Sequence, residues 1–382
     1  MAAATERVLF SFPGRPAARP GSKLVFDAAS ARLYGTSLGG SAMCFSGCGL
    51  VFELTYDAGR WNPRQLYGFK GGSDGFYPTG NIVFDSAGNL YGVTQLGGTN
   101  GQGAVYRLTP DGGGKWTESL IYSFHGQSDG SQPNAGLTMD TAGNLYGTTN
   151  LGGANGVGTV YELSPAGGGS WTESVLHSFG AGQDGANTWA EVTLDASGNL
   201  YGTTLAGGTY GGGTVYELTP AGGVWTEDVL YSFTGGSDSS VPKAPVWVDA
   251  SGNLYGTTAG EGPDNVGVVF ELTQSSGGTW AEHTLHTFNT QGDGYRPVSG
   301  LTPDASGNLY GTTWFGGAHA LGTVYQMRPG SNGNWTELVV HSFDGSDGNA
   351  PHTGVTIGKG VLFGTTQEGG ASGSGVVFAI QR

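Results

Sequence analysis

The sequence predicts an all-β protein, a seven-bladed β-propeller with four antiparallel strands in each blade. Three observations predict it: a unit of about 55 residues recurs seven times, each unit holds four short alternating runs, and the chain opens with the last run of a unit and closes without one. A β-solenoid is the weaker alternative for such an array.

The period is read from the glycine of "LYG", which falls at Gly35, Gly92, Gly147, Gly202, Gly256, Gly311 and, within "LFG", Gly364. The intervals are 57, 55, 55, 54, 55 and 53, so one period accounts for nearly all of the 382 residues. The string "GNLYGTT" stands unchanged at Gly143, Gly198, Gly252 and Gly307.

In the third unit the four runs are "GLTMD", "NLYGTTN", "GTVYELSP" and "TESVLHSF". They alternate apolar and polar residues, are rich in Val, Thr, Tyr and Phe, and are divided by Gly, Asp, Ser and Pro, which is strand and turn chemistry. The first two runs meet at "DTAGN" or "DASGN", where Asp bonds its own backbone and Gly takes positive φ in a tight hairpin. A calcium loop would need more carboxylates than that single Asp. "GNLYGTT" is therefore the second strand, with Leu and Thr expected on one face, Tyr on the other, and Gly allowing neighbouring blades to approach. No stretch carries a helical period.

The chain begins with "TERVLFSF", a fourth-strand sequence, and ends with "GVTI", "VLFGTT" and "GVVFAI". Residues 5–12 are expected to complete the blade begun at about Thr353, giving one domain over 1–382 and hiding the edges an open sheet would expose.

Composition agrees with a packed fold. The 75 Gly are accompanied by 17 Tyr, 17 Phe and 9 Trp with only 12% charged residues, unlike a disordered Gly-rich chain. A net charge of −15 disfavours nucleic acid and anionic membrane partners, and no run of about 18 apolar residues suggests membrane insertion. A monomer is expected, and "MAAATERVLF" lacks the regions of a secretory signal.

At "GTVYELSP" (Gly158), "GTVYELTP" (Gly213), "GVVFELTQ" (Gly267), "GTVYQMRP" (Gly322) and the "GNLYGTT" copies, the chain resembles the GloVer tandem repeat family of bacterial secreted and surface proteins. The resemblance covers nearly the whole chain and implies a propeller-like repeat fold and a secreted or cell-surface location. It brings no catalytic residues.

The two cysteines, Cys44 and Cys48, sit in a four-residue insertion between a second and a third strand. A disulfide is the expected state in an exported protein, with free thiols and metal or redox chemistry as the alternatives. The pair alone cannot complete a four-ligand zinc site, and its spacing is not C-x-x-C.

The longer loops, joining a fourth strand to the next first strand and a second strand to a third, fall on one face, which is the expected working surface. The first loop kind carries Asp74, Asp129, Asp184, Asp238, Asp293 and Asp347. A ring of carboxylates could hold calcium or a cationic ligand, but the favoured reading of "SDG" is a turn whose Asp bonds the following backbone. No cofactor other than calcium is suggested.

Positions where one blade departs from the others carry more information, because the fold does not require the departure. Before the first-strand apolar run the seven copies read Lys23, Asn81, Gly136, Glu191, Pro245, Gly300 and Gly354. Two residues earlier they read Gly21, Thr79, Asn134, Trp189, Lys243, Val298 and His352, and the Trp189 copy has Thr188 where Pro is usual. The second loop kind adds Trp314, Phe315 and His319, with Tyr210 and Phe45. Aromatic faces with scattered carboxylates suit sugar rings; loop drift without any ligand is the competing explanation.

His177, His286 and His341 occupy the slot that Tyr67, Tyr122 and Tyr231 hold elsewhere and read as packing or blade-edge residues. The expected function is a binding module for carbohydrate or another extracellular polymer. The alternatives are a polysaccharide hydrolase or lyase using Glu191, paired with Asp184 or Asp238, and a structural or adhesive protein that binds protein partners.

Overall fold

The structure is a computed structural model and describes residues 5–14, 18–40, 47–180, 182–260, 266–289 and 292–382. Seven four-stranded antiparallel sheets are arranged as the blades of a propeller. Apart from two single 3-10 turns, Gly72–Asp74 and Ser331–Gly333, the described residues contain no helix.

Blade 1 is Val25–Asp27, Arg32–Ser37, Leu50–Asp57 and Arg60–Gly68; blade 2 is Phe76–Phe84, Leu90–Leu96, Ala104–Pro110 and Trp116–Ser123. Blade 3 is Thr138–Met139, Leu145–Thr149, Thr159–Gly167 and Ser170–Ser178; blade 4 is Thr193–Leu194, Leu200–Thr204, Thr214–Ala221 and Val224–Ser232. Blade 5 is Trp247–Val248, Leu254–Thr258, Val268–Gln274 and Trp280–Thr287; blade 6 is Thr302–Pro303, Leu309–Thr313, Thr323–Pro329 and Trp335–Ser342. Blade 7 takes Thr356–Gly358, Val361–Thr366 and Val376–Gln381 from the end of the chain and Thr5–Ser11 from its start, with Thr5 opposite Gln381 and Ser11 opposite Val376.

The recurrence of "GNLYGTT" has a physical origin in both its turn and its packing. In blade 3, Asp140 accepts the backbone N–H groups of Ala142 and Asn144 (both 2.9 Å), the Asn144 side-chain amide (2.8 Å) and the Tyr146 hydroxyl (3.2 Å). One carboxylate thus closes the hairpin and fixes the Asn and Tyr that follow. Leu145 packs back on blade 2 with Tyr91, whereas Tyr146 packs forward on blade 4 with Val192 and Leu200. The two threonines part company, contrary to the expectation that they share the face of Leu: Thr148 reaches forward to the Ala190 carbonyl (2.9 Å), and Thr149 bonds Thr159 within its own blade (2.8 Å). That follows from the two-residue alternation of a strand. Gly147 is required because the Tyr161 ring lies across it, where a Cβ would strike the hydroxyl.

The core is a ring of seven apolar clusters, each shared by two adjacent blades. The cluster between blades 7 and 1 joins Phe12, Phe363 and Val377 to Leu24, Leu33, Phe52 and Leu54. Across the same seam, the Thr356 hydroxyl donates to the Leu24 carbonyl.

Candidate functional site

The two loop kinds expected on one face do meet there. They bridge at Ser131 with Leu151, Ala186 with Ala206, Tyr295 with Phe315 and Asn349 with Glu368. They surround a funnel of about 250 Å³ on the propeller axis, lined by all seven blades. Its rim is the series Gly21, Thr79, Asn134, Trp189, Lys243, Val298 and His352, and its waist is the series Lys23, Asn81, Gly136, Glu191, Pro245, Gly300 and Gly354. Lys23, Asn81 and Glu191 also line a second cavity directly below, so these three side chains stand between two chambers.

At the waist the two charges turn away from each other. The Asn81 amide donates to Glu191 Oε1 at 2.6 Å, and the Lys23 ammonium donates to Thr302 Oγ1 at 2.8 Å. No carboxylate of the described residues lies within 4.0 Å of the Lys23 nitrogen. Gly136 makes the Glu191 pose possible, since a Cβ there would come within 2.6 Å of Glu191 Oε2. Both charged groups retain some open surface, but residues of all seven blades surround the space they face. That confinement pushes the Glu191 carboxyl up, with the Lys23 charge and the Asn81 bond acting against it. It pushes the Lys23 ammonium down, and Glu191 opposes that shift.

The rim is aromatic and cationic. Trp189 is 37% exposed, and the Lys243 ammonium lies 4.0 Å from the centre of its ring, within range of a cation–π contact. Thr188, in place of the usual Pro, bonds the Thr149 carbonyl at 2.9 Å and so holds the loop that presents Trp189. His352 meets the Trp314 ring edge-on at 5.1 Å; Trp314 stacks on Phe315 at 5.0 Å, and Phe315 on Tyr295 at 5.5 Å. Burial, with the Lys243 charge second, lowers the His352 imidazole to about 4, which keeps it neutral at ordinary pH.

The site residues expected from sequence therefore separate. Lys23, Trp189 and Glu191 line the funnel, and Trp314 and Phe315 back its wall through His352. Tyr210 is 64% exposed in an outer groove beside Asp184 and Tyr231, and His319 is exposed in the same loop as Phe315 but does not line the funnel. Cys44 and Phe45 lie outside the described residues; Cys48 is buried.

None of the loop aspartates lines the funnel, where Glu191 is the single carboxylate among the described residues. The pairing of Glu191 with Asp184 or Asp238 is not formed, because those aspartates are held at the outer rim. Asp74, Asp129 and Asp238 accept the hydroxyls of Tyr67 (2.6 Å), Tyr122 (2.8 Å) and Tyr231 (3.0 Å). Asp184, Asp293 and Asp347 bond His177 (3.0 Å), His286 (2.9 Å) and His341 (2.8 Å). Each also accepts a backbone N–H in its turn, as Asp129 does from His125 at 2.9 Å. The fourth-strand histidines are thus more than packing. The signal was available: wherever the loop has its Asp, the slot six or seven residues earlier holds a donor, and where the Asp is missing the slot holds Phe10. Sequence reasoning placed Lys243 and His352 in the rim series without giving them a role and did not name Tyr295; their roles depend on ring contacts between different loops.

Comparison with known proteins bears on the fold and on the repeat. The periplasmic gluconolactonase of Pseudomonas aeruginosa superposes with a TM-score of 0.54 over 84% of each chain at 13% identity, a likeness of fold alone. A Dyadobacter fermentans protein of unknown function gives a TM-score of 0.48 at 11% identity, covering 100% of this chain and 99% of that one. No curated protein matches the sequence. The Gloeobacter/Verrucomicrobia repeat matches residues 1–139, 100–302 and 276–382, and the chain belongs to that repeat family.

Proposed function

We propose that this propeller is a binding module that works outside the cytoplasm and takes a saccharide in its axial funnel. The observation that carries the reading is Trp189. It is a large apolar ring left 37% exposed at the mouth of a cavity whose floor offers an amide, a carboxylate and an ammonium. A sugar presents C–H faces to such a ring and hydroxyls to such a floor. The rim and waist are also positions where the seven blades depart from one another, whereas the packing residues repeat.

The test is a glycan and polysaccharide array with and without calcium, followed by titration of each hit. Trp189→Ala should weaken binding at least tenfold while the melting temperature holds. Unchanged affinity removes the funnel as the site, and a blank array turns attention to protein partners and an adhesive role.

A second reading, a hydrolase or lyase, is favoured by the raised pKa of Glu191, which suits a general acid or base. It requires product release on an array hit and its loss in Glu191→Gln with binding retained.

A further inference from the structure

A second set of chemical groups lies far from the funnel, at the outer rim where the fourth strands of adjacent blades run side by side. Six of the loop aspartates are there, each bonded to a Tyr or His of its own blade, and each faces a Glu from the next fourth strand. At three interfaces the set contains an imidazole: His177 and Asp184 with Glu227, His286 and Asp293 with Glu337, and His341 and Asp347 with Glu6. In each, one His nitrogen and one oxygen from each carboxylate lie within 4.8 Å of one another.

In all three sets the glutamate's Oε1 is shut off from solvent and has no hydrogen-bond partner among the described residues. A buried acceptor without a donor is unfavourable. Glu118 and Glu173, at interfaces where the aspartate's partner is a tyrosine, have the same orphaned oxygen. A proton on the carboxyl is the remedy open to those two, because the phenol is already committed to the aspartate. Where histidine stands instead, a cation can take the place of the protons.

We propose that the three His–Asp–Glu sets bind a divalent transition cation of the zinc class, each ion tying two neighbouring blades together at their outer strands. One imidazole and two carboxylates are ligands Zn²⁺ takes at about 2.0 to 2.2 Å, with water in the fourth position. Calcium fits poorly, since it wants six or more oxygens. On entry the cation takes the Nε2 lone pair while the imidazole keeps its one proton on Nδ1, and the Glu carboxyl ionises, so the proton released to the solvent is that of the Glu. The set at Glu6 has an additional carboxylate, Asp344, acting on it, and it joins the opening strand of the chain to blade 6.

The experiment is a Zn²⁺ titration of the metal-free full chain, read by calorimetry and by metal analysis after desalting. The expected result is about three equivalents of Zn²⁺ per chain, one lost in each of His177→Tyr, His286→Tyr and His341→Tyr, and none left in the triple variant. Tyrosine is chosen because the chain uses it at Tyr67, Tyr122 and Tyr231 with the same bond to Asp, so the turn survives. If the triple variant does not fold, the set Glu6→Gln, Glu227→Gln and Glu337→Gln replaces it. Zinc uptake no greater than that of the folded triple variant overturns the proposal, as does calcium binding at the same ratio that persists without the histidines. Neither result depends on what the funnel binds.

Discussion

Asp238 shows what a loop carboxylate contributes. It is 4% exposed and accepts the Tyr231 hydroxyl at 3.0 Å, the Thr234 N–H at 2.8 Å and the Thr234 hydroxyl at 2.5 Å. Removing it leaves the Tyr231 hydroxyl and the Thr234 N–H and hydroxyl without their acceptor, so Asp238→Ala should destabilise the protein by about 2 kcal/mol, read from the urea midpoint. Tyr231→Phe removes one donor together with its need for a partner and should cost less, about 1 kcal/mol. At this scale the sequence was partly readable. "SDG" announced a turn, and the turn is there; the strand residue that the Asp also holds was hidden, because a strand end and a loop six or seven residues apart approach only after the blade has formed. Trp189 and Glu191 were legible as departures from the repeat. Their company in the funnel was not, since Lys243 and His352 come from other blades.

Among the elements, the loop entering each blade has a shared conformational cost. Arg19, Tyr77, Gln132, Asn187, Val241, Arg296 and Ala350 all adopt left-handed backbone, with φ between 52° and 59°. Each lies two residues before the rim of the funnel. Hydrogen bonds hold the geometry: Val241 N–H donates to the Gly212 carbonyl at 2.8 Å, and its own carbonyl accepts from Ala259 at 3.0 Å. Val241 is the unfavourable member, because a β-branched side chain crowds this region most. Val241→Asn should therefore raise stability by about 1 kcal/mol, with an increase in the thermal midpoint as the check and a decrease as the contrary result. The strands were visible in advance because their two-residue alternation recurs every 55 residues or so. The left-handed residue was not, because side chains as unlike as Arg, Gln and Val occupy it; the pattern of bonds around the position imposes the conformation, and no residue type marks it.

For the molecule as a whole, the rim glutamates set the response to pH. Burial, with neighbouring aspartates second where they add to it, raises Glu6, Glu118, Glu173, Glu227 and Glu337 to about 7. A carboxyl whose folded pKa lies above its unfolded value stabilises the fold fully below the unfolded value, and that contribution fades as pH rises through the folded one. The metal-free protein, kept so with a chelator, should thus melt at progressively lower temperature between about pH 5 and pH 8. Below that window the order reverses, because hydrogen bonds hold Asp85, Asp129 and Asp304 below the usual carboxylate range and their contribution is lost on protonation. A flat or rising melting temperature from pH 5 to pH 8 would contradict the assignment. The seam between blades 7 and 1 stands apart from this chemistry: Phe10 and Pro63 take the places of the donor and the glutamate, and the contact there is apolar.

That seam also sets an order of events during synthesis. The strand Thr5–Ser11 is made before its partner Val376–Gln381, and the chain of six whole blades lies between them. At ribosomal rates it waits roughly 20 to 75 s with an unmatched edge while six blades assemble behind it. Cellular yield of this protein should be sensitive to whatever shelters the nascent opening strand.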